Sequence, residues 1–365
     1  MKALDLDPKI LATAAGLHLD IANPVQSIRG HCRERIAKIL KRVSAVRTIS
    51  DVERVVCEHL NLVIHEIWSD DDLHSLSVRY AKEEGDPKFA ALEMELEAKD
   101  AYGVLYQRNK RTERGEVQYV AFVDCRGDKH HRRFFTRWHE IAHCLTTFKQ
   151  FEFPFRRVSG AEIQKEPLEK LMDMIAGELG FFDPLFVPLL NSEIRKHGKL
   201  TFAAVERIRD SFCPEASFQA TLIACVARAD VPVVLVVAGM GLKANEKRAL
   251  ADPQMSLIKA PSPRRQLRVL SSIPNQVARE VELQIHRNRR VPSNSIISKV
   301  FRDEVLSDSS VARENLADWT CSDGTALAPL SVEIQAIKIL DRVFAIVIPA
   351  APSPANSSPK TDGEN

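Results

Sequence analysis

Residues 132–149 read RRFFTRWHEIAHCLTTFK, and at their centre two histidines and a glutamate stand at a spacing that can do chemistry. In a helix, positions i and i+4 share a face, so His139 and His143 can direct two imidazoles at one point. Neutral imidazole is a good ligand for Zn2+. Glu140, about 100° further around the helix, would sit beside the remaining coordination position. A carboxylate there can take a proton from an attacking water and deliver it to a leaving amine. A solvated helix face would also carry His, Glu and the neighbouring Arg132, Arg133 and Arg137, so the motif needs context.

Context comes from the third ligand. One common class of zinc peptidases continues the motif as H-x-x-G-x-x-H, but Thr146 and Lys149 occupy the last two of those positions here, which excludes that class. The alternative is a glutamate on a later helix. Glu169 lies beyond Pro167 in KEPLEKLMDMIAGELGFF, and Asp173 follows one turn later on the same face. Glu169 can bind zinc while Asp173 accepts the Nδ1 proton of a ligand histidine and fixes its tautomer. The competing reading makes Glu169 a helix-capping residue and Asp173 a surface charge. Glu152, Glu162, Glu166 and His197 compete as third ligands, but each lacks a helical acidic partner like Asp173. Cys144 points away from His143 and reads as packed core, and His130 and His131 read as solvated turn residues.

The elements that must hold these residues are legible around them. EVQYVAFVDC, residues 116–125, is a strand rich in Val, Tyr and Phe, and RGDKHH is a turn leading into the HEIAH helix. Upstream, SIRGHCRERIAKILKRV reads as helix and SDVERVVCEHLNLVIHEI as helix then strand, with Ser50 as the expected cap. FAALEMELEAKDAYGVLYQ, within a charged stretch of poor periodicity, is expected as another helix. Downstream, Asp183 and Pro184 stop or bend the second helix, and TFAAVERIRDSF and PEASFQATLIACVARA form a helix pair beginning at Thr201 and Pro214. From Val231 the pattern changes to strand-type runs, VPVVLVVAGMGLK, QLRVLSS and VEIQAIKILDRVFAIVIP, with a turn near Asp341.

With 365 residues the chain is long enough for two domains. The expected organisation is an N-terminal extension over 1–25, a metallopeptidase-type domain over 26–228, a smaller α/β sheet-containing domain over 229–349, and a disordered tail over 350–365. Fifty-one Lys and Arg nearly balance 49 Asp and Glu, so overall charge calls for neither nucleic acid nor an anionic membrane. Seven scattered cysteines without a C-x-x-C pair fit reduced thiols in a cytoplasmic protein. The N-terminus does not read as a signal peptide, and no apolar window is long enough for a membrane span.

The strand VQYVAFVD, the arginine-rich entry RRFFTRWHEIAH and the later helix with Glu169, Asp173, Ala176, Glu178 and Leu179 together resemble the ImmA/IrrE family of metallopeptidases. The resemblance spans about residues 45–227, including the turn SFCPEAS; the chain departs from the family pattern at Met172, Gly180 and Asp183. It implies an α+β, zincin-like fold, Zn2+ as cofactor and cleavage of a protein substrate, a helix-turn-helix repressor of stress-response or mobile-element genes. His139, His143 and Glu169 would then be metal ligands, Glu140 the general base and acid, and Asp173 the histidine's partner. One branch of the family adds a GAF-type sensory domain, comparable in size with residues 229–349. Tyr119, Arg157 and His197 are candidate oxyanion donors by residue type. The rival readings are a DNA-binding or repressor-binding regulator using helices 201–212 and 214–227, which lack a dense basic face, and a silent scaffold whose C-terminal domain binds a partner or small molecule.

Overall fold

The computed structural model describes residues 2–43, 46–97, 101–111, 117–147, 155–158, 166–243, 246, 264–305, 310–319 and 326–350. The tail, Glu152, Glu162 and Cys321 lie outside these residues. The chain forms two compact units, Met1–Leu190 with Glu206–Ala224, and Asn191–Val205 with Cys225–Asn365. Residues 191–205 and 225–228, expected in the metallopeptidase domain, thus group with the second unit.

The first unit begins with short helices α1 (Lys2–Asp5) and α2 (Pro8–Gly16), followed by α3 (Pro24–Leu40) and α4 (Ile49–Leu60). Helix α4 is capped two residues earlier than expected, by Thr48 rather than Ser50: Thr48 Oγ1 accepts from the Asp51 amide at 3.1 Å while Asp51 accepts from the Thr48 amide at 2.9 Å. Asn61, at φ 52°, ends it in the left-handed region and turns the chain into β1 (Leu62–Ile67).

Helices α5 (Asp70–Val78) and α6 (Leu92–Glu97) lead to β2 (Ala101–Arg111) and β3 (Val117–Asp124). The helix expected over FAALEMELEAKDAYGVLYQ is therefore corrected: only its first part is helical. Tyr102, Val104 and Tyr106 favour extended chain, and Gly103 weakens a helix there. After a 3-10 turn at Gly127–Arg132 come α7 (Arg133–Thr146), β4 (Phe155–Val158) and α8 (Pro167–Leu179).

The four strands lie in the order β1-β3-β2-β4, with β1 parallel to β3 and β2 antiparallel to both its neighbours. On one face Val104, Tyr106, Val120 and Phe122 pack with Leu73, Tyr80, Phe89 and Leu96 in an apolar cluster. Gly103 faces the other way, against α7.

Asp183 does not merely stop α8 but opens a further helix, α9 (Asp183–His197), with Pro188 inside it. Helices α10 (Phe202–Phe212) and α11 (Phe218–Arg228) follow; Thr201 Oγ1 caps the first as expected, accepting from the Ala204 amide at 3.1 Å. The second starts four residues after Pro214, with Ser217 Oγ accepting from the Ala220 amide.

The second unit contains β5 (Val234–Gly241), β6 (Gln266–Pro274), α12 (Gln276–Glu280), α13 (Ile296–Phe301), β7 (Ser310–Asn315), β8 (Ser331–Ile339) and β9 (Arg342–Pro349). Its five strands run β6-β5-β9-β8-β7, antiparallel throughout, so the α/β domain expected over 229–349 is α+β. Val234, Val236, Val332, Ile334, Val343 and Val347 form its core with residues of α13 and Trp319. On the opposite face the Gln335 side chain accepts from the Phe202 amide at 3.1 Å and Glu333 pairs with Lys199. The N-terminus of α10 is thus tied down by packing contacts, and the helix-turn-helix reading of the pair gains nothing from it. Among the described residues no helix is long and apolar enough to cross a membrane, and the six described cysteines are free thiols.

Candidate metal centre

Helix α7 lies on the sheet with every residue from Trp138 to Thr146 buried. It is anchored on the side away from the histidines. Arg137, only 12% exposed, binds Glu53 of α4 at 2.7 Å, Glu66 of β1 at 2.5 Å and Glu215, between α10 and α11, at 2.7 Å. Arg133, one turn earlier, also reaches Glu215, at 3.2 Å. A planar guanidinium facing three carboxylates fixes the rotation of α7 about its own axis, and hence where its other face points.

That other face carries His139 and His143, and α8 packs opposite. The Nε2 atoms of the two histidines are 3.2 Å apart; Glu169 Oε2 is 3.0 Å from His139 Nε2, and Glu169 Oε1 is 3.4 Å from His143 Nε2. Among the described residues this is the one group of His, Cys, Asp and Glu side chains whose donor atoms converge tightly enough to hold a metal ion. Asp173 Oδ1 lies 3.0 Å from His139 Nδ1. With the ionised carboxylate accepting the Nδ1 proton, His139 Nε2 carries a lone pair. The two Nε2 atoms and the two Glu169 oxygens face one another across 3.0–3.4 Å, and these three residues could hold a cation between them.

The residues fit zinc on distances as well. Ligand atoms about 2.0–2.1 Å from a tetrahedral zinc stand roughly 3.3–3.4 Å from one another. The observed separations, 3.0, 3.2 and 3.4 Å, come up to that value from below.

Two shifts describe the metal-free site, in which the histidines can still donate to Glu169. Burial pushes the His143 pKa below the ordinary histidine value, against the attraction of Glu169, and so favours neutral imidazole. Burial opposes charge on Glu169 too, but hydrogen bonding and attraction to His139 and His143 hold its carboxyl well below the usual carboxylate range.

Glu140 is wholly buried on the sheet side of α7. A Cβ added to Gly103 would lie 2.7 Å from Glu140 Oε1 and 2.7 Å from Thr136 Cγ2, so β2 comes this close only because residue 103 has no side chain. Thr136 itself is fixed, its hydroxyl donating to the Arg132 carbonyl at 3.0 Å. Gly103 is a site residue whose one sequence signal is a glycine inside an aromatic strand.

The competing ligands fall elsewhere. Glu166 is exposed and paired with Lys9 of α2, and His197 belongs to the second unit, 3.8 Å from Glu193. No hydrogen bond caps α8 from the side chain of its N-cap residue, Glu166. Tyr119 is half-buried, and burial raises its pKa, while the Arg157 side chain lies outside the described residues. Cys144 is buried core, its thiol pushed well up by burial. The rings of His130 and His131 lie 3.8 Å apart, tilted by 46°, in the turn before α7.

The geometry brings together His139, His143, Glu169 and Asp173 from two helices, and Glu140 follows His139 on α7 against the sheet. No protein-family model matches the chain, and no curated protein matches it.

Proposed function

We propose that the first unit is a zinc-dependent endopeptidase of zincin type, related to the ImmA/IrrE metallopeptidases. The observation that carries this reading is the convergence of His139, His143 and Glu169 at 3.0–3.4 Å, with Asp173 orienting His139. His139 Nε2, His143 Nε2 and the Glu169 carboxylate would hold the ion. When bound, zinc supplies Lewis acidity toward a peptide carbonyl and lowers the pKa of water to about 7.

The chain's own residues do the rest. Glu140, fixed between α7 and the β2 backbone at Gly103, takes the proton of the attacking water and returns it to the amide nitrogen as the C–N bond breaks. Asp173 keeps the His139 proton on Nδ1, so that Nε2 stays a donor of electrons. Arg137 holds α7 in the rotation that presents these groups.

The substrate that fits the family resemblance is a helix-turn-helix repressor, cut in a cytoplasmic setting. Co-expression of the chain with such a repressor tests this. The parent should yield cleaved repressor, and Glu140→Gln should retain metal while cleavage disappears. Unchanged cleavage by Glu140→Gln would sink the peptidase assignment.

A further inference from the structure

The second unit carries a charge asymmetry that the overall balance hides. Between residues 264 and 291 stand seven arginines, no lysine and two glutamates, in a chain whose net charge is only +2. The fold gathers them on one edge of the sheet. Strand β6 is the edge strand, and the segment after α12 returns alongside it: the Val291 amide donates to the Leu267 carbonyl at 3.0 Å, and the Asn288 amide to the Val269 carbonyl at 2.8 Å. Arg268 and Arg290 face each other in a bridge.

Two of the arginines are buried and structural. Arg268 donates to the Asn288 carbonyl at 2.9 Å, and Arg289 donates to the Trp319 carbonyl. They pin the returning segment in place. The other five, Arg264, Arg265, Arg279, Arg287 and Arg290, are exposed, and none has a carboxylate partner among the described residues. Elsewhere arginines are commonly paired, as Arg29 with Glu178, Arg54 with Glu58 and Arg126 with Asp70.

The cations form a row rather than a point. Arg264 and Arg265 precede β6, Arg290 lies opposite Arg268 near its start, and Arg287 lies beside its second half. Arg279 follows on α12. A nine-residue strand spans roughly 30 Å. Within the row Ser271, Ser272, Gln284, His286 and Arg287 line an open recess of about 490 Å³ rich in hydrogen-bond donors.

We infer that this edge of the second unit binds the phosphate backbone of double-stranded nucleic acid. Arginine forks match phosphate oxygens, and a row of cations this long meets several phosphates of one strand at once. Residues 264–291 contain no Phe, Tyr or Trp, so the surface lacks the stacking platforms that single strands use. Binding should be independent of sequence, because backbone contacts position a protein without reading bases. The inference stands apart from the peptidase reading.

Fluorescence anisotropy of the full chain with a labelled 20-base-pair duplex, between 50 and 200 mM salt, tests it. With about five phosphate contacts the slope of log K against log salt should be near −4 to −5, a loss of about 10²–10³-fold across that range. Changing Arg264, Arg265, Arg287 and Arg290 together to Gln should reduce the slope by about 3–4 while the melting temperature stays unchanged. Should that variant fail to fold, the pairs Arg264→Gln/Arg265→Gln and Arg287→Gln/Arg290→Gln should each reduce it by about 2. A control with Arg207→Gln and Arg228→Gln, on α10 and α11, should keep the parental slope. The inference is overturned by absence of binding at 50 mM salt, by a quadruple variant that keeps the parental slope, or by loss of binding in the control alone. Displacement of the duplex by poly-glutamate at equal charge would overturn it too, in favour of an acidic polypeptide partner.

Discussion

The closest approach in the candidate site gives the sharpest perturbation. Gly103→Ala adds one methyl group 2.7 Å from both Glu140 Oε1 and Thr136 Cγ2, about 0.7 Å short of the 3.4 Å at which ordinary contact begins. Thr136 cannot rotate away without losing its hydrogen bond to the Arg132 carbonyl. Either Glu140 swings or α7 lifts from β2, and α7 is tied on its far side through Arg137. Overpacking of this kind costs about 1–3 kcal/mol. In a unit of about 200 residues that corresponds to a fall in melting temperature of roughly 3–10 °C. A displacement of Glu140 near 1 Å should cost about 10²-fold in turnover. Zinc content should change little, because neither His139 nor His143 is among the atoms nearest the new methyl. Calorimetry, metal analysis and cleavage of the co-expressed repressor read these three quantities. A variant that melts within a degree of the parent and cleaves at the parental rate would show that Glu140 does not depend on the bare strand at Gly103.

Three further outcomes follow from the ion pairs and protonation states. Arg137→Met leaves Glu53 buried opposite Glu66 and Glu215 without their shared cation, and should destabilise by about 3–5 kcal/mol in denaturant titration. Arg137→Lys should recover only part of this, since an ammonium cannot fork toward three carboxylates. Burial opposes the charge on Asp124, but hydrogen bonds from Arg126 and Lys129 outweigh it and hold its pKa below the ordinary aspartate value. The folded state is therefore the weaker proton binder, and the stability this group contributes is present above about pH 4 and lost as pH falls through its folded value. Asp124→Asn should flatten that acid limb and cost about 2–3 kcal/mol near neutrality, less than for a fully buried pair because both cations keep about a fifth of their surface. For metal-free protein the lowered His143 pKa has the same sign: the unfolded chain takes up its proton first, so stability declines as pH drops from about 6.5 toward the folded value. Calorimetry from pH 8 to 5 on His143→Asn should show that part of the decline gone.

Much of the site is local and therefore legible. The i, i+4 spacing of His139 and His143, and of Glu169 and Asp173, is a property of two helices, and the proline opening α8 and the cap at Thr201 are written in adjacent residues. What hides in the sequence depends on tertiary partners. Arg137 reads as a solvated charge until Glu53, Glu66 and Glu215 are brought to it from positions far apart in the chain. Residues 101–107 read as helix because Leu, Glu and Ala before them favour one; pairing of β2 with β3 and β4 decides otherwise. Helix α9 is masked by the two prolines, Pro184 in its first turn and Pro188 in its interior. The antiparallel order of the second sheet cannot be read from apolar runs alone, since a strand buried on both faces, like β5, loses its alternation.

The central claim is that His139, His143 and Glu169 form one zinc site, and zinc titration of the metal-free chain against a competing chelator measures it directly. The parent should bind one equivalent tightly; Glu140→Gln should bind it as well as the parent, and Glu169→Ala should bind at least 10²-fold more weakly. Equal affinity in the parent and Glu169→Ala, or no tight equivalent in the parent, would contradict the account.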